Sequence, residues 1–100
     1  MRIIAVSSLA TYAKKHPESK SSIAHWIMLA KAATWKDPAE VSRSFSKAKV
    51  INGERIRFEI AGGDHRLIVA FDFGRGIAFV KFMGTYAEYD RVDALTVSQF

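Results

Sequence analysis

The tightest constraint on this chain is an alternation running from residue 54 to residue 83, broken twice by glycines. Ile56, Phe58 and Ile60 alternate with Arg55, Arg57 and Glu59, and Gly62-Gly63 follows. His65 to Phe73 resumes the pattern, Gly74-Arg75-Gly76 interrupts it, and Ile77 to Met83 closes it. A period of two punctuated by glycine is a strand pattern, and strands joined by turns this short must be antiparallel. The alternation also sets a register, because a slip of one residue sends every side chain to the other face. With Gly62-Gly63 as the whole first turn, Ala61 faces Asp64, Ile60 faces His65, Glu59 faces Arg66 and Arg57 faces Ile68. With Gly74-Arg75 as the whole second turn, Phe73 faces Gly76, Ile68 faces Lys81 and Arg66 faces Met83. Ile56, Phe58, Ile60, Leu67, Val69, Phe71, Ala78, Val80 and Phe82 then share a core face. Arg55, Arg57, Glu59, Arg66 and Lys81 share the other. A short strand over Lys49 to Ile51, turned by Asn52-Gly53, is expected just before.

The first half has a different period. Arg2 to Val6 is β-branched and short, a strand. Ser7 or Ser8 is expected to cap a helix that stops ahead of Pro17, since the residue before proline avoids helical angles. Ile23, Trp26, Ile27, Ala30 and Ala33 recur at helical spacing, so residues 18 to 35 read as an amphipathic helix with both tryptophans in the core. Asp37-Pro38-Ala39-Glu40 carries a cap, a first-turn proline and a third-position glutamate, which marks a brief further helix. Ser42 to Ser46 reads as a polar connector. Near the end, Thr85-x-x-Glu88 is a capping box opening a short helix through about Asp93. The prediction is one α+β domain over residues 1–100: an antiparallel meander with an N-terminal strand, two helices packed on one face and a short C-terminal helix.

Net charge is +5 and 49% of residues are hydrophobic, so the chain is foldable and favours acidic partners, nucleic acid among them. With no cysteine, disulfides and thiolate zinc sites are excluded. No apolar run approaches a membrane span, and the short Ile3 to Val6 piece is no signal peptide, so a cytoplasmic protein without membrane attachment is expected. His16, His25 and His65 share no ligand spacing, and no metal or other cofactor is expected. His65, on the core face at a strand end, reads as a satisfied structural histidine.

The chemistry gathers where the last strand breaks, in Gly84-Thr85-Tyr86-Ala87-Glu88-Tyr89-Asp90. The register puts Arg57, Arg66 and Lys81 on one face and starts the helix bearing Tyr86 and Tyr89 at its edge. Cations beside exposed phenols can hold a phosphodiester and move protons around it. Lys47 and Lys49, just before the meander, suit steering of a phosphate backbone. The same residues also fit a plainer account: a cross-strand Glu59–Arg66 ion pair, a helix cap, and half-buried tyrosines.

Two blocks carry a resemblance. Phe58-Glu59-Ile60-Ala61-Gly62-Gly63-Asp64-His65-Arg66-Leu67-Ile68-Val69 and Phe79-Val80-Lys81-Phe82-Met83-Gly84-Thr85-Tyr86-Ala87-Glu88-Tyr89-Asp90 resemble the HigB toxins of bacterial toxin–antitoxin pairs, within the wider RelE-like group of mRNA interferases. The resemblance implies a RelE-like fold and a ribosome-dependent endoribonuclease that cuts mRNA during translation. It further implies a helix-turn-helix antitoxin of the HigA type, with which such a toxin forms a hetero-oligomer. By position, Arg66 resembles the strand arginine that holds the scissile phosphate, and Tyr89-Asp90 matches the family's Tyr-Asp pair. Many relatives carry histidine where this chain has Tyr86. A free phenol, with a pKa of about 10, is a competent acid and a poor base at neutral pH.

Overall fold

The chain runs β1 (Arg2–Ile4), α1 (Val6–Lys15), a 3₁₀ turn (Pro17–Ser19), α2 (Lys20–Ala32), α3 (Pro38–Ser44), β2 (Lys49–Val50), β3 (Arg55–Ile60), a second 3₁₀ turn (Ala61–Gly63), β4 (His65–Asp72), β5 (Ile77–Thr85) and α4 (Tyr86–Tyr89). In this computed structural model, which describes residues 1–100, the strands form one five-stranded sheet in the order β1-β5-β4-β3-β2. Strands β2 to β5 make the expected meander, and β1 joins β5 in parallel, so the sheet is mixed. The fold is α+β and RelE-like, with three helices rather than two contributing to one packed face.

That face holds the core. Leu9 and Ala13 of α1, Ile23, Trp26 and Ala30 of α2 and Val41 of α3 meet Ile56, Phe58, Ile60, Leu67, Val69, Phe71, Ala78, Val80 and Met83 of the sheet. Phe45 packs edge-on to Trp35 and Phe58, and Trp26 meets Phe58 at 5.4 Å between ring centroids. Burying each such ring contributes on the order of 2–3 kcal/mol. Trp35 is buried as expected but lies beyond α2, which ends at Ala32. There the Met1 ammonium sits 3.0 Å from the Ala30 carbonyl and 2.7 Å from that of Ala33, a cation at the negative end of a helix. The α3 cap is as read from the sequence: the Glu40 amide donates to Asp37 Oδ1 at 2.9 Å. That helix runs on through Ser44, into the stretch expected to be a connector.

The α1 cap differs. The helix begins at Val6 after Ala5, with no side-chain cap, so Ser7 and Ser8 lie inside it. Because β1 ends at Ile4, the turn into the helix comes too early for either serine to sit outside and cap.

The β3–β4 register is the predicted one, with Ile60 opposite His65, Glu59 opposite Arg66 and Arg57 opposite Ile68. Pairing ends there, so the connection is Ala61 to Asp64 rather than two residues. Between β4 and β5 the predicted register holds from Asp72–Ile77 to Val69–Val80, and then a bulge shifts it by one. Lys81 is left unpaired. Phe82 faces Ile68, Met83 faces Leu67, Gly84 faces Arg66 and Thr85 faces His65. The expectations that Lys81 faces Ile68 and that Met83 faces Arg66 are therefore corrected. So is the core assignment: Met83 enters the core in place of Phe82. The extra residue of a bulge lets an apolar side chain reach each face in turn, which simple alternation cannot represent.

Nor is the outer face wholly polar. Ile68, Ala70 and Phe82 are buried there, outside the main core. The C-terminal segment is tied to this side. Arg55 donates to the carbonyls of Ala94 (3.1 Å) and Val97 (2.8 Å), and the Gln99 amide donates to that of Lys81 at 2.8 Å.

Candidate active site

The half of the outer face left to the charged residues is organised around Glu59. Arg57 donates to Glu59 Oε2 at 3.2 Å, and Arg66 Nη1 lies 3.6 Å from the same oxygen. One carboxylate thus bridges two arginines, leaving the trio with a net positive charge. Gly63 makes this possible. Its φ is +99°, and a Cβ there would come within 2.9 Å of Glu59 Oε1. With Ala61 and Gly62 also at positive φ, the 3₁₀ turn folds its Gly63 carbonyl back to accept from Arg66 Nε at 3.2 Å.

Arg66 is held on its other side by aromatic rings. Its guanidinium carbon lies 4.8 Å from the Tyr86 ring centroid and 5.8 Å from that of Tyr89, cation–π distances that orient the plane. The Thr85–Glu88 capping box positions both phenols: the Glu88 amide donates to Thr85 Oγ1 at 3.2 Å, and Glu88 Oε1 accepts from the Thr85 amide at 2.8 Å. The same box holds the Glu88 carboxyl below its usual range. Gly84, opposite Arg66, admits Phe82 beneath it; a Cβ would lie 2.5 Å from that ring.

The side chain of Arg66 is only 11% exposed, yet Nε is its one internal hydrogen-bond donor. The buried side-chain nitrogens without partners are Trp26 Nε1 and Arg57 Nε, so the two terminal nitrogens of Arg66 keep access to solvent. The site therefore presents a fixed, planar, half-used fork beside an exposed phenol, Tyr86, which is 52% exposed. Such a fork is suited to two oxygens of one phosphate.

Not every residue predicted for the site joins it. Lys81, at the bulge, lies three residues along β5 from the partner of Arg66, and its ammonium rests 5.6 Å from the Phe79 ring. The expectation that Lys81 sits beside Arg66 is corrected for the reason given above. Asp90 is exposed at the end of α4, and its carboxylate makes no hydrogen bond to either tyrosine. Arg57 and Lys49 are directly paired across β2 and β3, and Lys47 offers its carbonyl to Arg57 at 3.4 Å. Both lysine side chains are exposed.

Sequence reasoning missed a second cluster at the other face of the same strand. His65 is buried, as expected, and satisfied at both ring nitrogens: Tyr12 Oη is 2.6 Å from Nδ1, and Glu18 Oε2 is 2.9 Å from Nε2. His16 stacks on Tyr12 and lies 3.7 Å from the same Glu18 oxygen. The spacing of the histidines along the chain gives no sign of this, and His25 stays apart from the cluster. His16, Glu18 and His65 present three metal-ligating atoms within 4.8 Å of one another. Local spacing could not show this, since His65 arrives from 47 residues away. Burial, with Glu88 and Glu18 nearby, pushes the Tyr12 phenol up to about 12, so it keeps its proton. Glu18 is held below the carboxylate range by its own backbone amide and by His65.

Comparison with protein families bears on the outer-face site. A model of the HigB toxins, the RelE-like toxic component of a toxin–antitoxin system, matches residues 19–92. The chain belongs to the HigB toxin family. The match spans α2 through α4, which includes Arg57, Glu59, Arg66, Tyr86 and Tyr89. Membership of a toxin–antitoxin family gives this HigB-family chain an antitoxin as its partner. No curated protein matches the sequence. No helix is long and apolar enough to cross a membrane.

Proposed function

We propose that this HigB-family toxin is an endoribonuclease that cleaves mRNA on translating ribosomes, and that a HigA-type helix-turn-helix antitoxin silences it in a cytoplasmic hetero-oligomer. The observation that carries the reading is the Arg66 guanidinium, held against Tyr86 and Tyr89 with neither terminal nitrogen in a hydrogen bond within the protein. The ribose 2′-oxygen attacks the adjacent phosphorus while the bond from phosphorus to the 5′-oxygen breaks. The products are a 2′,3′-cyclic phosphate and a 5′-hydroxyl. Arg66 binds the two non-bridging oxygens, whose charge grows in the transition state, the kind of preorganised electrostatic help that often dominates catalysis. Tyr86 gives its proton to the leaving 5′-oxygen. Asp90, or a group of the ribosome, accepts the proton of the 2′-hydroxyl. Lys47, Lys49 and Arg57 steer the backbone, and Lys81 stands further along the strand as a secondary phosphate contact. Cleavage runs without a metal: Glu59 is taken by two arginines and Glu88 by its helix cap, so neither is free to hold one.

A second reading is favoured by Tyr86 and by the unpartnered Asp90: a non-catalytic module that grips RNA or the ribosome without cutting. A basic face that meets only an acidic protein partner is the third outcome. Mapping cleavage on translated mRNA, for the wild type and Arg66→Ala, separates the three. Cuts that vanish in the mutant support the nuclease. Ribosome binding without cuts selects the binding module, and neither leaves the protein-interaction face.

A further inference from the structure

We propose that His65 Nε2, His16 Nδ1 and Glu18 Oε2 form a binding site for one divalent transition-metal ion, with Zn²⁺ the best-suited, on the opposite side of β4 from Arg66.

The geometry is that of a site one small movement from closure. A single carboxylate oxygen already reaches both rings, at 2.9 Å and 3.7 Å, and no pair of the three ligand atoms is more than 4.8 Å apart. Bonds of about 2.0–2.1 Å in a tetrahedral zinc site set ligand separations of roughly 3.4 Å. The three atoms bracket that value. The fixed member is His65, buried and oriented by Tyr12, while His16 and Glu18 lie toward solvent and can close onto it. Pro17 sits between the two movable ligands and limits the backbone they share.

The support behind the ligands has the right chemistry as well. A metal-ligating histidine usually donates its other ring N–H to an oxygen that fixes the ring. Tyr12 Oη, 2.6 Å from Nδ1, is that oxygen. Without metal, Nε2–H donates to Glu18 and the protonated phenol donates to Nδ1. With metal on Nε2, the ring proton moves to Nδ1 and Tyr12 turns from donor to acceptor, with no net proton change on the ring. Two imidazoles and one carboxylate favour zinc and its first-row neighbours over magnesium or calcium, which prefer all-oxygen shells. Glu18 is 58% exposed, so water can reach such an ion and complete its shell. Strand alternation puts this corner on the side of β4 away from Arg66, so the ion would fasten the Pro17 turn to β4 without touching the proposed phosphate.

The test uses untagged, chelator-stripped full-length protein, titrated calorimetrically with ZnCl₂ and followed by visible absorption with Co²⁺. One equivalent of saturable binding is expected, with a four-coordinate Co²⁺ spectrum and a raised Tm. His16→Gln and Glu18→Gln, both near the surface, should each weaken binding at least about 10-fold, and Tyr12→Phe by about 10-fold or more. His25→Gln, on the exposed side of α2, should bind as the wild type does. Absence of saturable binding would overturn the site, as would undiminished affinity in both His16→Gln and Glu18→Gln. None of these readouts depends on RNA cleavage.

Discussion

His65 and Arg66 are consecutive on β4 and are treated in opposite ways by the fold. The imidazole is buried, with both nitrogens engaged by side chains of the 3₁₀ turn and α1. The guanidinium is nearly as enclosed by rings and by Glu59, yet its terminal nitrogens make no hydrogen bond within the protein. A side chain whose every donor is used holds a structure together. One that is held firmly by stacking while its terminal donors make no hydrogen bond is set up for a ligand.

The sharpest way to break this contrast is Arg66→Lys. A lysine keeps the charge but loses the planar fork, so growth arrest should fall almost as far as in Arg66→Ala, on the order of 10³-fold in single-turnover cleavage on programmed ribosomes. Thermal stability should change little, because Arg57 still holds Glu59. Cleavage within a few-fold of wild type would show that only a point charge is needed there.

Tyr86→Phe should follow, with a loss of about 10²-fold, because the ring still stacks on Arg66 while the proton donor is gone. Tyr86→His should keep or raise the rate, since an imidazole titrates near neutral pH. A wild-type rate in Tyr86→Phe would move proton transfer to Tyr89 and Asp90.

His65→Leu addresses the other half of the comparison. It removes two hydrogen bonds and strands the Tyr12 hydroxyl, so unfolding free energy should drop by about 1–3 kcal/mol in denaturant melts. Cleavage should persist wherever the protein is folded. A selective loss of activity without destabilisation would mean that His65 belongs to the chemistry.

The smallest effect is at alkaline pH. Tyr12 is pushed up to about 12, above the roughly 10 of an unfolded tyrosine, so its contribution is complete below pH ~10 and disappears as pH rises toward 12. Ultraviolet titration should show one phenol ionising last, and Tyr12→Phe should lack it. A last-titrating phenol that survives that substitution would place the shift elsewhere.

Much of this arrangement was legible in the residues. The alternation through Arg57, Glu59 and Arg66 set the β3–β4 register, and Thr85-x-x-Glu88 announced the helix that presents the phenols. What escaped was information that strand periodicity does not contain. Lys81 and Phe82 sit at a bulge, and nothing in an alternating pattern marks which residue is the extra one. The double hold on Glu59 depends on Gly63 at positive φ, which a reading of Gly62-Gly63 as a plain turn does not reveal. The Tyr12–His65–Glu18 network escaped because it is assembled from chain segments about fifty residues apart.

The bulge at Lys81 has a consequence for how α4 is aimed. Below it, the even residues Ala78 and Val80 point to the helices; above it, the odd residue Met83 does. The helix that carries Tyr86 and Tyr89 starts three residues later and inherits that changed parity. Without the extra residue, the chain would leave β5 half a pleat out of phase, and the phenols would address the side of the sheet where His65 lies. The partnership of Arg66 with its two tyrosines is thus a matter of counting along β5, so a single-residue deletion there would separate them even with every residue of the site retained.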